Sequence, residues 1–179
     1  MSKTVRALIV YESMFGNTER IARAIADGLK ESAPTEIVAV YKAPAVLPDD
    51  VRLLVVGGPT HAFSMSREST RQDAWKQGEV VMPTEVGIRE WLSALTGPAK
   101  GRQIAAATFD TRITKVRRLP GSAARSAAKL LRRMGYRVGM SENFFVDDTT
   151  GPIREGELEH ARQWGAELGR SLTGSAKVA

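Results

Sequence analysis

Short apolar runs rich in β-branched residues alternate along the chain with stretches of helical periodicity. The runs that predict strands are residues 4–11, 35–41, 51–58, 102–109 and, with a weaker pattern, 136–146. In the first helical stretch Ile21, Ile25 and Leu29 recur every four positions, which places them on one helix face. Similar stripes predict helices at 86–95, 121–134 and 158–172. Strands that alternate with helices in this way predict an α/β fold whose parallel sheet is covered on both faces.

One polar segment interrupts the alternation. Residues 64–84 follow the third strand without a clear periodicity, and connections of this length are usually lids or flexible segments. We keep a lid over a site as one interpretation of this segment. The rest of the pattern predicts a single domain over residues 1–173, followed by a flexible tail at 174–179.

The composition excludes several kinds of chemistry. The chain has 179 residues and no cysteine, so disulfides, thiolate metal sites and cysteine nucleophiles are ruled out. The apolar run near the start is too short for a transmembrane helix and lacks the layout of a signal peptide. We therefore expect a soluble, cytoplasmic protein without a transmembrane segment.

Positive charge is concentrated in one segment. From Arg112 to Arg137 the chain has nine Lys and Arg residues and no Asp or Glu, and subtracting them from the net charge of +6 leaves −3 elsewhere. An acidic protein, nucleic acid and an anionic membrane surface would all be attracted to such a segment. Aromatic residues do not interleave with the arginines, which disfavours nucleic acid. A solvated helix face is the simplest interpretation.

The loop after the first strand, "SMFGNT", has the chemistry of an anion cradle without a cation. Ser13 and Thr18 carry hydroxyls, Asn17 carries an amide, and Gly16 permits a close backbone approach. We expect Thr18 or Asn17 to cap the helix that begins here. The first N–H groups of a helix lack internal partners, so backbone and hydroxyls alone can bind a phosphate there. A turn that merely caps a helix would use the same residues, and both interpretations stay open at this point.

Other phosphate-binding motifs are absent from the sequence. It contains neither the G-x-x-x-x-G-K-[ST] loop of nucleoside triphosphatases nor a G-x-G-x-x-G after the first strand. Without a lysine or a metal ligand in the loop, a bound terminal monophosphate is favoured over a phosphoryl group in transfer.

The stretch "IVYESMFGNTERIA" resembles the phosphate-binding loop of the flavodoxin family, which typically reads [ST]-x-[ST]-G-x-T. Phe15 departs from this pattern because it has no hydroxyl. The resemblance implies a three-layer, flavodoxin-like doubly wound sandwich with a five-stranded parallel sheet in the order 2-1-3-4-5. It also implies FMN, bound noncovalently at the carboxyl ends of the strands. The residues that match the family's phosphate loop are Ser13, Met14, Phe15, Gly16, Asn17 and Thr18.

Two further loops gain a role from the same resemblance. In the family, the loop after the third strand flanks the isoalloxazine ring, which here implies contacts from Pro59, Thr60, His61, Ala62 and Phe63. The loop after the fourth strand covers the other face of the ring, which implies Thr108, Phe109, Asp110, Thr111 and Arg112. The family's usual tyrosine is missing from this second loop. His61 or Phe63 would stack on the ring, and Arg112 would balance negative charge on its reduced form.

The sequence thus predicts an FMN-binding redox protein. It leaves open whether the protein carries electrons to a redox partner protein or is a small oxidoreductase that acts on an acceptor such as a quinone. No side chain is required as a catalyst, and we expect no metal site. The alternative from a different class is a cofactor-free, flavodoxin-like binding module. The oligomeric state is not predicted.

Overall fold

A parallel sheet forms the centre of the computed structural model, which describes residues 6–175 apart from residues 62, 79 and 81. Its five long strands are β1 (Arg6–Tyr11), β2 (Thr35–Ala39), β3 (Val51–His61), β5 (Ala105–Ile113) and β6 (Arg137–Val146). They lie in the order β2-β1-β3-β5-β6, and each neighbouring pair is parallel. A short strand, β4 (Ser64–Met65), pairs antiparallel with the end of β3. The predicted five-stranded parallel sheet and its order are therefore confirmed.

Helices cover the sheet on both faces, which gives the predicted three layers. The helices are α1 (Asn17–Leu29), α2 (Glu68–Gln77), α3 (Ile88–Ala94), α4 (Ala123–Arg133) and α5 (Glu157–Ser175). One apolar core joins the sheet to α1 and α5, and the other joins it to α2, α3 and α4. Within the described residues, no helix is long and apolar enough to span a membrane.

The two cores follow from the alternation of side chains along each strand. In β1, Ala7 and Ile9 belong to the core under α1 and α5, whereas Leu8 and Val10 belong to the core under α3 and α4. All four are buried, because successive side chains of a strand point to opposite faces of a sheet that is covered twice.

The structure extends two of the sequence predictions. The 64–84 segment, whose sequence showed no clear periodicity, contains β4 and α2. The fourth strand was predicted to end at residue 109. In the structure β5 continues to Ile113, which pairs with Val146 of β6. Residues 108–112 therefore lie in a strand and not in a loop. At the other end of the chain, α5 runs to Ser175, and residues 176–179 of the predicted tail lie outside the described residues.

Helices α1 and α5 pack with their backbones in close contact. A Cβ atom built on Gly165 would lie 2.1 Å from the carbonyl oxygen of Ile25. A Cβ atom on Gly28 would lie 2.0 Å from the carbonyl oxygen of Arg162. The two glycines therefore allow a helix–helix distance that any side chain would increase. This contact holds the C-terminal half of α1 against α5.

We expect Gly165→Ala to destabilise the protein, although alanine is the better helix former. Helix propensity alone would stabilise the variant by about 1 kcal/mol. The clash with the backbone of Ile25 is expected to outweigh this gain and to lower the free energy of unfolding by about 2 kcal/mol. Urea unfolding measures the difference.

Gly139→Ala is the matched control for this prediction, because a Cβ atom there has nothing within 4 Å. It should change the free energy of unfolding by no more than about 0.5 kcal/mol. A Gly165→Ala variant that is about 1 kcal/mol more stable than wild type would show that α1 and α5 can separate without cost.

Candidate phosphate and cofactor site

A small cleft lies at the carboxyl ends of β1, β3, β5 and β6, where the loops that follow these strands meet. Its volume is about 70 Å³. It is lined by Ser13, Met14, Phe15, Asn17, Thr18, Pro59, Thr60, His61, Thr111, Ile113, Val146 and Thr149. No Lys or Arg is among the lining residues, so positive potential must come from the backbone.

The loop of residues 13–18 enters α1 through a left-handed glycine. Gly16 has a φ of 88° and is the N-cap residue, and no side chain caps the helix from that position. The expectation that Thr18 or Asn17 would be the N-cap is therefore wrong. Ser13 instead satisfies one of the free N–H groups at the start of the helix, because its Oγ accepts a hydrogen bond from the N–H of Glu19 at 3.1 Å.

The start of α1 presents backbone donors to the cleft. Within the described residues, the N–H groups of Phe15, Gly16, Asn17 and Thr18 have no hydrogen-bond acceptor. The hydroxyl of buried Thr18 lies 2.7 Å from that of Thr111 on β5, so the two hydroxyls meet inside the cleft. Free N–H groups, hydroxyls and the positive end of a 13-residue helix converge there.

Phe15, which breaks the family's motif, connects the loop to the 64–84 segment. Its ring packs against the core under α3 and α4. A Cβ atom on Gly78, just after α2, would lie 3.4 Å from this ring. The aromatic side chain therefore replaces a hydroxyl contact with an apolar contact to the neighbouring helix.

The end of β3 lines a second wall of the cleft with Pro59, Thr60 and His61. The hydroxyl of Thr60 donates to Oδ2 of Asp110 at 2.8 Å and accepts from the N–H of Ala123 at 3.0 Å. Phe63 does not line the cleft: it has a φ of 67° and a side chain that is half exposed. Ala62 lies outside the described residues.

His61 is held as a neutral imidazole at neutral pH. Its Nδ1 lies 3.2 Å from the Thr70 hydroxyl at the start of α2. Burial and, to a smaller extent, the nearby charge of Arg71 lower the pKa of His61 from 6.5 to about 4. His61 can therefore offer one ring N–H or one ring nitrogen lone pair to a ligand, but no proton from an imidazolium.

Of residues 108–112, the structure brings only Thr111 into the cleft. Thr108 pairs its hydroxyl with that of Ser141 at 2.7 Å. The ring of Phe109 packs in the core with Phe144 and Trp164. The guanidinium of Arg112 is buried and donates to the carbonyl oxygen of Leu119 at 3.0 Å. The predicted ring contacts of Thr108, Phe109, Asp110 and Arg112 therefore have no support from the cleft lining.

Asp110 is the polar centre behind the cleft. It is fully buried. Its Oδ2 accepts from the hydroxyl of Ser122 at 2.5 Å and from the N–H of Ala124 at 3.1 Å, both at the start of α4. Its Oδ1 accepts from the amide of Asn143 on β6 at 2.6 Å. With Thr60, these bonds join β3, β5, β6 and α4.

A buried polar network that sequence reasoning missed lies beneath the third-strand loop. Glu12, directly after β1, is only 1% exposed. Its Oε1 accepts from the Ser66 hydroxyl, and its Oε2 accepts from the N–H of Ile88 at 2.8 Å. Burial raises the pKa of Glu12, and these hydrogen bonds and the nearby guanidinium of Arg71 oppose that rise.

Arg71 of α2 closes this network with no exposed surface. Its Nη1 donates to the Ser66 hydroxyl at 2.8 Å, and its Nη2 donates to Oε2 of Glu90 at 3.0 Å. The pKa of Glu90 is lowered, because its hydrogen bonds with the Gly87 N–H and Arg71 outweigh its partial burial. The 64–84 segment is thus fixed to β1 and α3 by buried charge. The only sequence signal for this was an arginine in a polar segment.

The cleft also has a wall that sequence reasoning overlooked, after β6. Val146 and Thr149 line it, in the stretch "VDDTTGP". Gly151, with a φ of 107°, passes so close to Asn17 that a Cβ atom would lie 3.0 Å from its Oδ1. The signal was available, since a loop after a parallel strand must reach the same edge of the sheet.

Arg71→Met should be strongly destabilising, because it leaves the Glu12 and Glu90 carboxylates without their cation. Breaking a buried ion pair from one side typically costs about 3–5 kcal/mol. We expect a loss of at least about 3 kcal/mol in the free energy of unfolding, and trypsin cleavage within residues 64–87 under native conditions.

Lys76→Met on the same helix is the matched control, because Lys76 pairs only with Asp73 at 3.4 Å and both side chains are exposed. It should cost less than about 0.5 kcal/mol. If Arg71→Met does not fold, Ser66→Ala tests the same network with a smaller change. If the Ser66→Ala and wild-type proteins are equally stable, the buried network does not hold the 64–84 segment in place.

The titration of His61 tests its neutral state. We expect its imidazole signal in NMR spectra to titrate near pH 4, with no change between pH 8 and pH 5.5. Since the folded pKa lies below the unfolded value, the unfolded chain binds the proton first, and stability falls as the pH drops from about 6.5 to about 4. His61→Gln assigns the signal and should remove that part of the pH dependence. A midpoint near 6.5 would show an exposed imidazole instead.

Comparison with known proteins gives a family and a fold. The flavodoxin family model matches residues 9–91. A flavodoxin from the domain Archaea is 16% identical with a TM-score of 0.61, over 94% of this chain and 99% of that chain. The flavodoxin of Streptococcus pneumonia TIGR4 is 18% identical with a TM-score of 0.63, over 93% of this chain and 99% of that chain. No curated protein matches the sequence.

The same fold also occurs within a larger protein. Rubredoxin oxygen:oxidoreductase from Desulfovibrio gigas is 16% identical with a TM-score of 0.62, over 97% of this chain and 37% of that chain. The flavodoxin family model thus covers the 13–18 loop and the end of β3, and the whole chain shares its fold with these flavodoxins.

Proposed function

We propose that this protein binds FMN noncovalently and works as a single-domain electron carrier. The observation that carries the proposal is the set of free backbone N–H groups at the start of α1, in a cleft that has no cationic side chain. Polar groups that face a cleft without protein partners are the expected binding groups of an anion. The similarity of residues 9–91 to the flavodoxin family supports the phosphate of FMN as that anion.

The donor set fits a terminal monophosphate. The N–H groups of residues 15–18 and the hydroxyls of Thr18 and Thr111 would bind its oxygens, and the α1 dipole would stabilise its charge. Phe15 would contribute its N–H alone. The Ser13 hydroxyl already accepts from Glu19, so it would add its own O–H as a donor.

The remainder of FMN would extend out of the cleft. A volume of about 70 Å³ holds a phosphate-sized group, whereas pockets for complete cofactors usually measure about 300 Å³ or more. The ring would therefore lie at the mouth, next to the end of β3, where His61 and Thr60 are held by Thr70 and Asp110. When bound, FMN supplies one- and two-electron transfer chemistry, and the protein supplies binding and electrostatic tuning.

The surroundings of the cleft favour an electron carrier over an oxidoreductase that acts on a quinone. His61, the one titratable side chain in the cleft lining, is neutral and has no proton to deliver at neutral pH. The 64–84 segment is pinned by the buried Arg71, which argues against a lid that opens for each substrate. An electron carrier needs neither a proton donor in the cleft nor a lid that opens.

A fluorescence titration with FMN and riboflavin tests the proposal, because riboflavin lacks the phosphate. We expect cofactor-free wild-type protein to bind FMN and quench its emission. Thr18→Val should weaken FMN binding about tenfold to hundredfold, since a hydrogen bond to a charged group is worth about 1.5–3 kcal/mol. The affinity for riboflavin should be unchanged in the same variant.

Thr35→Val is the control, because the Thr35 hydroxyl bonds to the Ala33 carbonyl oxygen at the opposite edge of the sheet. It should bind both flavins as wild type does. If folded wild-type protein binds neither flavin, the protein is a cofactor-free binding module. If Thr18→Val binds FMN normally, the phosphate does not lie on this loop.

A further inference from the structure

Phe63 is an exposed aromatic residue in an unfavourable backbone conformation. It lies in the turn between β3 and β4, its φ is 67°, and 49% of its surface is exposed. A bulky residue with a positive φ is a rare outlier, and exposing its ring to water adds a second cost. Neither cost is recovered inside the described part of the chain. Phe63 follows His61, which lines the cleft, by two residues, so its turn lies at the same end of the sheet as the cleft.

Leu119 is a second exposed apolar side chain, held next to Phe63. It is 45% exposed. A Cβ atom on Gly121, two residues further on, would lie 2.2 Å from the carbonyl oxygen of Phe63. The carbonyl oxygen of Leu119 accepts from the buried guanidinium of Arg112 at 3.0 Å, and its N–H donates to Val116 at 3.0 Å. Leu119 is therefore displayed by a structured loop.

The loop that carries Leu119 is rich in unpaired positive charge. Lys115, Arg117 and Arg118 are exposed. Within the described residues, no side chain from Arg112 to Arg137 forms an ion pair with a carboxylate. In the described part of the chain, Lys115, Arg117 and Arg118 thus present positive charge to solvent without a carboxylate partner.

Exposed apolar side chains next to a loop with exposed arginines have the composition of a protein interface. Such interfaces are enriched in aromatic residues and Arg and depleted in Lys, and seven of the nine cations from 112 to 137 are Arg. The planar guanidinium matches a carboxylate through two parallel hydrogen bonds. A membrane anchor needs a broader apolar face than Phe63 and Leu119 provide, and single-stranded nucleic acid would need more aromatic residues for stacking.

We propose that Phe63, Lys115, Arg117, Arg118 and Leu119, the basic docking face, bind an acidic one-electron carrier protein; this inference rests on the proposed function. The partner's carboxylates would pair with Arg117 and Arg118, and its apolar centre would cover Phe63 and Leu119. Docking there brings the partner's redox centre to the mouth of the cleft. Opposite charges would also steer the encounter, so association should be fast at low salt.

The electron transfer that this docking serves is balanced. In each encounter, a reduced partner protein with an iron–sulfur cluster would pass one electron to the bound flavin. Two encounters, together with two protons from water, convert oxidised FMN to its fully reduced form, FMNH2. No residue of the basic docking face changes its bonding.

Binding to a plant-type [2Fe–2S] ferredoxin, an acidic one-electron donor, tests the inference without the flavin. Calorimetry on cofactor-free protein should detect binding at about 20 mM salt that weakens at least about tenfold at about 300 mM. Arg117→Glu combined with Arg118→Glu should weaken binding at least about tenfold. Phe63→Asn, which tolerates a positive φ, should weaken it about fivefold without loss of stability.

Arg132→Glu combined with Arg133→Glu is the matched control, with the same change in net charge. Both residues are exposed at the far end of α4, about 15 Å along the helix from its start. Compared at about 150 mM salt, where the Debye length is about 8 Å, this variant should bind ferredoxin within about twofold of wild type, because its charges lie at the far end of α4. FMN-loaded proteins in stopped-flow reduction by ferredoxin should rank in the same order.

The outcomes separate this inference from the proposed function. Normal FMN binding with no salt-sensitive ferredoxin binding overturns the docking face alone. Equal losses in both charge-reversal variants overturn it as well, because they would show only nonspecific attraction. Phosphatidylserine vesicles that bind wild type but not the Arg117→Glu, Arg118→Glu variant, with ferredoxin binding unaffected, would assign the face to a membrane. Ferredoxin binding by a protein that fails to bind FMN would retain the interface and refute the redox function.

Discussion

The buried carboxylate of Asp110 is the interaction on which the architecture of the site depends. It accepts hydrogen bonds from Thr60 on β3, Asn143 on β6, and Ser122 and Ala124 at the start of α4. A charge in this position is tolerated because its oxygens have donors on several sides and lie at a helix N-terminus. The same bonds fix the wall of the cleft and the start of α4. The candidate cofactor site and the proposed docking face therefore share one support.

A second buried network plays the same part on the other side of the end of β3. Glu12 receives the Ser66 hydroxyl and the Ile88 N–H, and Arg71 joins Ser66 to Glu90. Because Glu12 and Asp110 are buried near the cleft and no Lys or Arg lines it, a general positive field does not account for anion binding there. Any affinity for phosphate must come from the directed N–H groups and hydroxyls at the start of α1. That constraint favours a monophosphate held in one orientation.

Two aromatic residues break local rules, and both lie where parts of the molecule meet. Phe15 stands where the family's motif has a hydroxyl, and it packs towards the end of α2. Phe63 has a positive φ and an exposed ring beside the mouth of the cleft. Violations of local preference are expected at functional or strained sites, because only a benefit elsewhere retains them. The first packs towards the end of α2, and the second belongs to the proposed docking face.

The sequence by itself determined the α/β fold, its five parallel strands and the glycine-containing turn at residues 13–18 that leads into α1. These features are encoded locally, because strand and helix periodicities and a Gly-containing turn are read over a few neighbouring residues. It did not determine which side chains of residues 108–112 reach the cleft. That depends on where β5 ends, and its pairing with β6 extended the strand to Ile113. The link from Glu12 to Arg71, 59 positions later in the chain, was likewise decided by tertiary structure. A buried ion network is specified by contacts between distant segments, and no local pattern in the sequence records them.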